Sequence, residues 1–265
     1  MSAKWRGEGG QHQGSRPYQE DSWTLRTLPD GALLAVVADG MGGHAGGAVA
    51  SKLVVDTFVA VIDAGRSLGE ALAAANEAVK ARAATDSKLT GMGSTLIAVR
   101  LKGDELKWIS VGDSPLYQVF AGRIERLNAD HSLAPQIDAL VSRGVISAEE
   151  GAAHPGRHTL REAVMGEPLT LIDEGARRMV PGTTLLLCSD GVETLAHERI
   201  AAASRLSVSG LIDAVLAARH RAGEDAAAPE DLHPCIVPVR APVLVRSAAC
   251  AWSWWGRGSV GGSSR

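Results

Sequence analysis

At 265 residues, with 45% hydrophobic and 22% charged residues, the chain has enough apolar sequence for one large globular domain or two small ones, which excludes a disordered polypeptide. Its formal net charge of -3 offers no basic field for neutralising nucleic-acid phosphates. Three widely spaced cysteines, Cys188, Cys235 and Cys250, argue against a disulfide framework and against a cysteine-based zinc site.

The N-terminal stretch MSAKWRGEGGQHQGSRPYQEDS is polar and lacks the apolar centre of a signal peptide. The chain also has no apolar run of the roughly 18 residues that a bilayer span requires. A cytoplasmic protein without membrane or nucleic-acid partners is expected, acting as a monomer.

Leu33 to Ala38 (LLAVVA) reads as a buried strand, and it leads into the glycine-rich DGMGGHAGGAVAS. Three readings of this loop compete. Gly40-Met41-Gly42-Gly43-His44-Ala45 fits the dinucleotide fingerprint of a nucleotide-binding oxidoreductase. Asp39 at the strand end would repel a pyrophosphate but suits a divalent cation. The glycines could also serve only as a tight strand-to-helix connection.

Val54, Phe58, Val61 and Ile62 then recur at helical spacing, and SLGEALAAANEAVKARAAT follows as a second helix with Ser67 and Glu70 as a capping box. Two helices after one strand do not make the βαβ repeat of a dinucleotide fold. Ser94 to Leu101, Leu106 to Val111 and Leu116 to Phe120 read as an antiparallel meander with short Gly-bearing links.

From Ala134 to about His158 the chain is polar and helical, with Ser147 and Glu150 as another start signal. Thr183 to Cys188 (TTLLLC) reads as a buried strand, with Cys188 a small hydrophobe, and Leu211 to Arg219 as a helix. An α+β fold results, a sheet core covered by helices.

After Asp231 the pattern changes. Pro234, Pro238 and Pro242 argue against a regular central strand, and Trp252, Trp254 and Trp255 cluster before a Gly/Ser/Arg end. A domain spanning 1–231 and an atypical tail at 232–265 are expected, the tail disordered or translated from a shifted reading frame.

Several aspartates sit where strands run out into loops: Asp39 after LLAVVA, Asp113 after WISVG and Asp190 after LLLCS. Any one of them could be an ordinary turn former. Together with Glu20, Asp21 and Asp130-His131-Ser132, they point to an all-oxygen site that favours Mg²⁺ or Mn²⁺ over zinc. Two such ions ~3.5–4 Å apart clamp and acidify a water for in-line attack on phosphorus.

The ordered set Arg16-x-x-x-Glu20-Asp21, Asp39-Gly40-Met41-Gly42-Gly43-His44, Gly93-Ser94-Thr95, Gly112-Asp113-Ser114, Asp130-His131-Ser132 and Ser189-Asp190-Gly191 resembles the metal-dependent Ser/Thr protein phosphatases. This is the PPM family, or type 2C, and the compact bacterial members are the nearer likeness. The resemblance covers about residues 7 to 231.

It implies a four-layer α-β-β-α sandwich of two antiparallel sheets, with two or three Mn²⁺ or Mg²⁺ ions at one end. By position, Asp39 would bridge two ions and the Gly40 carbonyl would bind one of them. Glu20, directly or through bound waters, would serve that second ion and Asp190 the first; Asp21 is a further candidate metal residue, and Asp113 a candidate for a third, weaker position. Asp39 and Asp190 would be the catalytic carboxylates. Arg16 would hold the substrate phosphate with its planar fork. The segment 132–165 would be the flap beside the site.

Departures from the family pattern are Gln19 for asparagine, Pro115 for the arginine of GDSR, and the absence of the closing D-N-x-T and its strand. Asp231 is the candidate last ligand and Asp225 the fallback; the proton donor is open. The implied activity is hydrolysis of phosphoserine or phosphothreonine in substrates of a Ser/Thr kinase. The alternative is a catalytically weak or inactive phosphatase-like module that binds phosphoproteins.

Overall fold

The structure is a computed structural model that describes residues 5–13, 19–42, 45–223 and 234–241. The first sheet is formed by β3 (Asp21–Thr27), β4 (Leu33–Met41), β6 (Leu96–Lys102), β7 (Glu105–Val111) and β10 (Asp173–Arg178). Their spatial order is β10-β7-β6-β4-β3, and the two-residue β5 (Gly93–Ser94) pairs with the end of β4. The second sheet runs β1 (Arg6–Gly7), β12 (Cys235–Arg240), β11 (Thr184–Cys188), β8 (Leu116–Phe120) and β9 (Arg123–Arg126), with β2 (Gly10–Gln11) also on β12. All the pairings are antiparallel.

The continuous apolar run of β4 follows from burial on both faces. Leu33, Ala35 and Val37 enter the core between the sheets, where they meet Leu185, Leu187, Val237 and Val239. Leu34, Val36 and Ala38 face the opposite way, onto α1 (Ala45–Asp63) and α2 (Leu68–Ala84). The second sheet is built alike. Leu186 and Cys188 of β11 turn outward to the layer formed by α5 (His197–Ala203) and α6 (Val208–Gly223). The result is the expected α-β-β-α sandwich.

Local signals hold where they were read. Val54 and Phe58 of α1 are fully buried, and Ser67 and Glu70 form a complete capping box at the start of α2. Ser147 and Glu150 do the same for α4 (Ala148–Ala152), which pairs with α3 (Ala134–Ser142) in the segment read as a flap. There Arg157 forks the Asp138 carboxylate at 2.7 and 3.2 Å, the bridge Ser132↔Leu160 closes the segment on itself, and the bridge Ser94↔Val164 ties it back to the sandwich.

Two expectations need correction. The meander is broken: β6 and β7 form a hairpin in the first sheet, but β8 crosses to the second and pairs with β9 and β11. Gly112–Pro115 is the crossing.

The second correction concerns the prolines, because Cys235–Arg240 is a strand in the interior of the second sheet despite Pro238. Pro234 and Pro238 present their carbonyls to the N-terminal strands, accepting from His12 and Glu8, whereas Cys235 and Ala241 bond toward β11. The missing N–H of Pro238 therefore points at the gap between β1 and β2, where the ladder is already interrupted. The sheet thus continues past residue 231, and the closing edge is paired. The tryptophan cluster lies outside the described residues. Among the described residues, no helix is long and apolar enough to cross a membrane.

Candidate metal centre

One end of the sandwich gathers the strand ends that carry acids. β3 and β4 place Asp21 directly opposite Asp39, and the Gly40 N–H donates to the Glu20 carbonyl at 3.1 Å. Glu20 and Asp21 are buried, at 7% and 4% exposure.

Glycine is required at the turn from β4 into α1 for lack of space. A Cβ on Gly40 would sit 2.1 Å from the Gly47 carbonyl oxygen and 2.5 Å from that of Glu20. A Cβ on Gly47 would meet the Glu20 Oε1 and the Gly40 carbonyl oxygen, both at 2.9 Å. The first turn of α1 therefore packs backbone to backbone on Gly40, with the Glu20 carboxylate beside the positive end of the helix dipole.

The main chain of Asp39 is clamped by the neighbouring motif. Thr95 Oγ1 accepts the Asp39 N–H at 3.0 Å, the Thr95 N–H donates to the Asp39 carbonyl at 2.8 Å, and Ser94 Oγ donates to the same carbonyl at 2.9 Å. Thr95 Oγ1 also bonds Ser114 Oγ at 2.7 Å, which couples β4 to the crossing loop that carries Asp113. Gly112, at φ +101°, lets that loop lie on Thr95, where a Cβ would come within 2.6 Å of Thr95 Cγ2.

Asn128 closes the far side of the loop. Its Oδ1 accepts the Leu116 N–H at 2.8 Å, and its Nδ2 donates to the Ser114 carbonyl at 3.0 Å. His131 is buried, with Nδ1 accepting the Gly112 N–H at 3.2 Å; burial, outweighing nearby acids, holds its pKa below the ordinary range. It acts as a neutral structural acceptor.

Electrostatics bring the acids together. Burial first, then the charges of Asp21, Asp190 and Asp113, push the Asp39 carboxyl well above the usual carboxylate range. Asp113 is pushed up to about 7 by burial first, then by Asp190 and Asp130. Asp190 opens a short 3-10 turn, Asp190–Thr194, directly after β11.

Of the residues picked out by sequence, Glu20, Asp21, Asp39, Gly40, Asp113 and Asp190 therefore share this end of the sandwich. Arg16, His44, Asp225 and Asp231 lie outside the described residues. The described chain resumes at Pro234, and there the Cys235 N–H bonds Ser189 Oγ at 2.9 Å while the Ser189 N–H bonds the Cys235 carbonyl at 2.9 Å. Sequence reasoning gave no roles to Thr95, Ser114, Asn128, Arg126 or Glu193. Thr95 and Ser114 were flagged only by their motifs, and nothing local marks the others.

The donors fit a hard divalent cation: carboxylates that repel one another in a confined space, and a carbonyl at Gly40 with no room for a side chain. Among the described residues, no three Asp, Glu, His or Cys side chains are grouped closely enough to hold a metal ion by themselves.

Fold and site together define an α-β-β-α sandwich protein with an acidic centre at one end. The chain belongs to the protein phosphatase 2C family, whose model matches residues 8–233. It is 37% identical over 171 residues to the serine/threonine protein phosphatase PstP of Mycobacterium tuberculosis, covering 61% of this chain and 32% of that protein. The match thus spans about a third of the mycobacterial relative. The serine/threonine phosphatase stp of Listeria welshimeri is 31% identical over 193 residues, covering 69% of this chain and 75% of that one.

Among solved structures, the M. tuberculosis PstP phosphatase superposes with a TM-score of 0.75 at 29% identity, covering 90% of this chain and 99% of that chain. The catalytic domain of PstP in complex with two manganese ions superposes at 0.71 and 28% identity, covering 90% and 98%.

Proposed function

We propose that this chain is a metal-dependent protein phosphatase that hydrolyses phosphoserine and phosphothreonine in proteins, without a covalent enzyme intermediate. The convergence of Asp21, Asp190 and Asp113 on the buried Asp39, whose pKa is raised first by burial and then by their charges, carries this reading. Two or three Mn²⁺ or Mg²⁺ ions would be held by Asp39, the Gly40 carbonyl, Glu20, Asp21 and Asp190, with Asp113 as the candidate for the third. When bound, such ions supply a water acidic enough to attack phosphorus at neutral pH.

The chain's own part is to hold Asp39 by Ser94 and Thr95 and to keep side chains away from Gly40, while burial and the acids around Asp39 disfavour its charged form. Affinity should therefore rise with pH. Arg16 would hold the substrate phosphate. Asp231 is preferred to Asp225 as the last ligand because it is nearer in sequence to Cys235, which is anchored to Ser189 next to Asp190. Phosphoproteins made by a Ser/Thr kinase are the proposed substrates, met in the cytoplasm by a monomer.

The rival reading, an inactive phosphoprotein-binding module, drew on Pro115 and on a missing closing strand. Cys235–Arg240 is a strand, so the second support falls. The test is hydrolysis of p-nitrophenyl phosphate and of a phosphothreonine peptide with Mn²⁺, with EDTA, and by Asp39→Asn. Turnover that needs Mn²⁺ and Asp39 is expected. Well-folded protein with no metal-dependent turnover would overturn the proposal.

A further inference from the structure

The crossing loop Gly112–Pro115, the flap base at Asp130 and the turn that begins at Asp190 come from distant parts of the chain, yet one side chain touches all three. Arg126, at the end of β9, donates from Nη2 to the Asp113 carbonyl at 2.5 Å. Its Nη1 lies 3.3 Å from Asp130 Oδ2 and 3.3 Å from Glu193 Oε1. Arg126 and Asp130 have side chains 21% and 19% exposed, so this pair is less screened than ordinary surface pairs, whereas Glu193 is 36% exposed.

Glu193 belongs to the same 3-10 turn as Asp190 and is held a second time, by the Tyr117 hydroxyl at 2.9 Å. Tyr117 is fully buried in β8 and stands opposite Arg126 in the β8–β9 register, with its ring edge-on to His197 at 5.5 Å. The guanidinium thus spans a rigid strand pair on one side and two acid-bearing loops on the other. Pro115, next to Ser114, offers no side-chain donor to the crossing loop. The loop's carbonyl at Asp113 is held from β9 instead.

We propose that Arg126 is a positioning residue: its fork fixes the Asp113 loop, the Asp130 carboxylate and the Glu193-bearing turn, and so sets the separation of Asp113 and Asp190 for divalent-cation binding. The inference rests on the functional reading above for what the cation does, but its geometry is independent of turnover. A planar fork suits the task because three acceptors on three segments must be met at once, and a lysine ammonium on a flexible stem does not hold that geometry. Groups that orient metal ligands from outside typically change metal affinity by ~10–100-fold when removed.

The test measures Mn²⁺ binding directly, from the electron paramagnetic resonance of free Mn²⁺, beside the Mn²⁺ dependence of p-nitrophenyl phosphate turnover. Full-length wild type, Arg126→Gln and Arg126→Lys are compared. The expected result for Arg126→Gln is a weakest-site Mn²⁺ midpoint raised about 10-fold or more in both assays, with kcat at saturating Mn²⁺ within a few-fold of wild type. Arg126→Lys should also be displaced, because it keeps the charge and loses the fork.

A folded Arg126→Gln with the wild-type midpoint would overturn the inference. If the glutamine variant does not fold, the lysine variant decides, and a wild-type midpoint there would equally overturn it. Wild-type protein that binds Mn²⁺ but does not turn over would defeat the functional reading alone, since the binding midpoints would still test Arg126.

Discussion

Replacing Asp113 with asparagine should stabilise the metal-free protein at neutral and alkaline pH. In the unfolded chain this carboxyl has the ordinary 3.8, and in the folded one burial and its acidic neighbours push it up to about 7. The folded state therefore holds more protons than the unfolded state between these values, so stability falls as pH rises from about 4 to 7 and the whole deficit is present above it. At ~1.4 kcal/mol per pH unit the deficit has a ceiling of ~4 kcal/mol. Asp113 keeps some contact with solvent, and screening brings a working figure nearer ~2 kcal/mol.

For a domain of this size that corresponds to a Tm higher by ~4–8 °C. Thermal unfolding followed by circular dichroism in EDTA at pH 8 should show the gain in Asp113→Asn, and the two proteins should converge near pH 4. With Mn²⁺ added, the ranking should narrow or reverse, because the variant has lost an anionic donor and gains less from the ion. A variant with Tm equal to or below wild type at pH 8 in EDTA would refute the claim that uncompensated acid repulsion is stored at this end of the sandwich.

Gly40→Ala should abolish high-affinity Mn²⁺ binding, measured by calorimetry, because its Cβ would lie 2.1 Å from a main-chain oxygen of α1 that cannot yield. Thr95→Val removes the acceptor of the Asp39 N–H and the partner of Ser114 Oγ; a loss of ~1–3 kcal/mol is expected in urea unfolding, with a matching fall in turnover. Pro238→Val should alter stability by less than ~1 kcal/mol, whereas Val237→Pro removes a ladder hydrogen bond toward β11 and should cost at least ~1–3 kcal/mol. The contrast follows from the alternation of hydrogen-bonding sides in β12, and equal effects from the two changes would remove it.

Sequence alone determined whatever is decided within a few residues or by burial on both faces. The capping boxes of Ser67–Glu70 and Ser147–Glu150 close over three residues, so the chain spells them out. LLAVVA and LLLC are apolar without alternation because the inner sheets of a four-layer sandwich have no wet face. The acids Asp39, Asp113 and Asp190 were legible as a set because each follows an apolar run of sequence, and the ordered motifs resembled a known family.

Only the tertiary structure decided what depends on partners far along the chain. Thr95 holds Asp39 across 56 residues, and Arg126 meets Glu193 across 67. Nothing local records such contacts, because hydrogen bonds across a sandwich are specified by register and not by neighbours. The same holds for Pro238: a proline breaks a strand when its absent N–H faces a partner, and whether it does so is settled by the gap between β1 and β2 more than two hundred residues away.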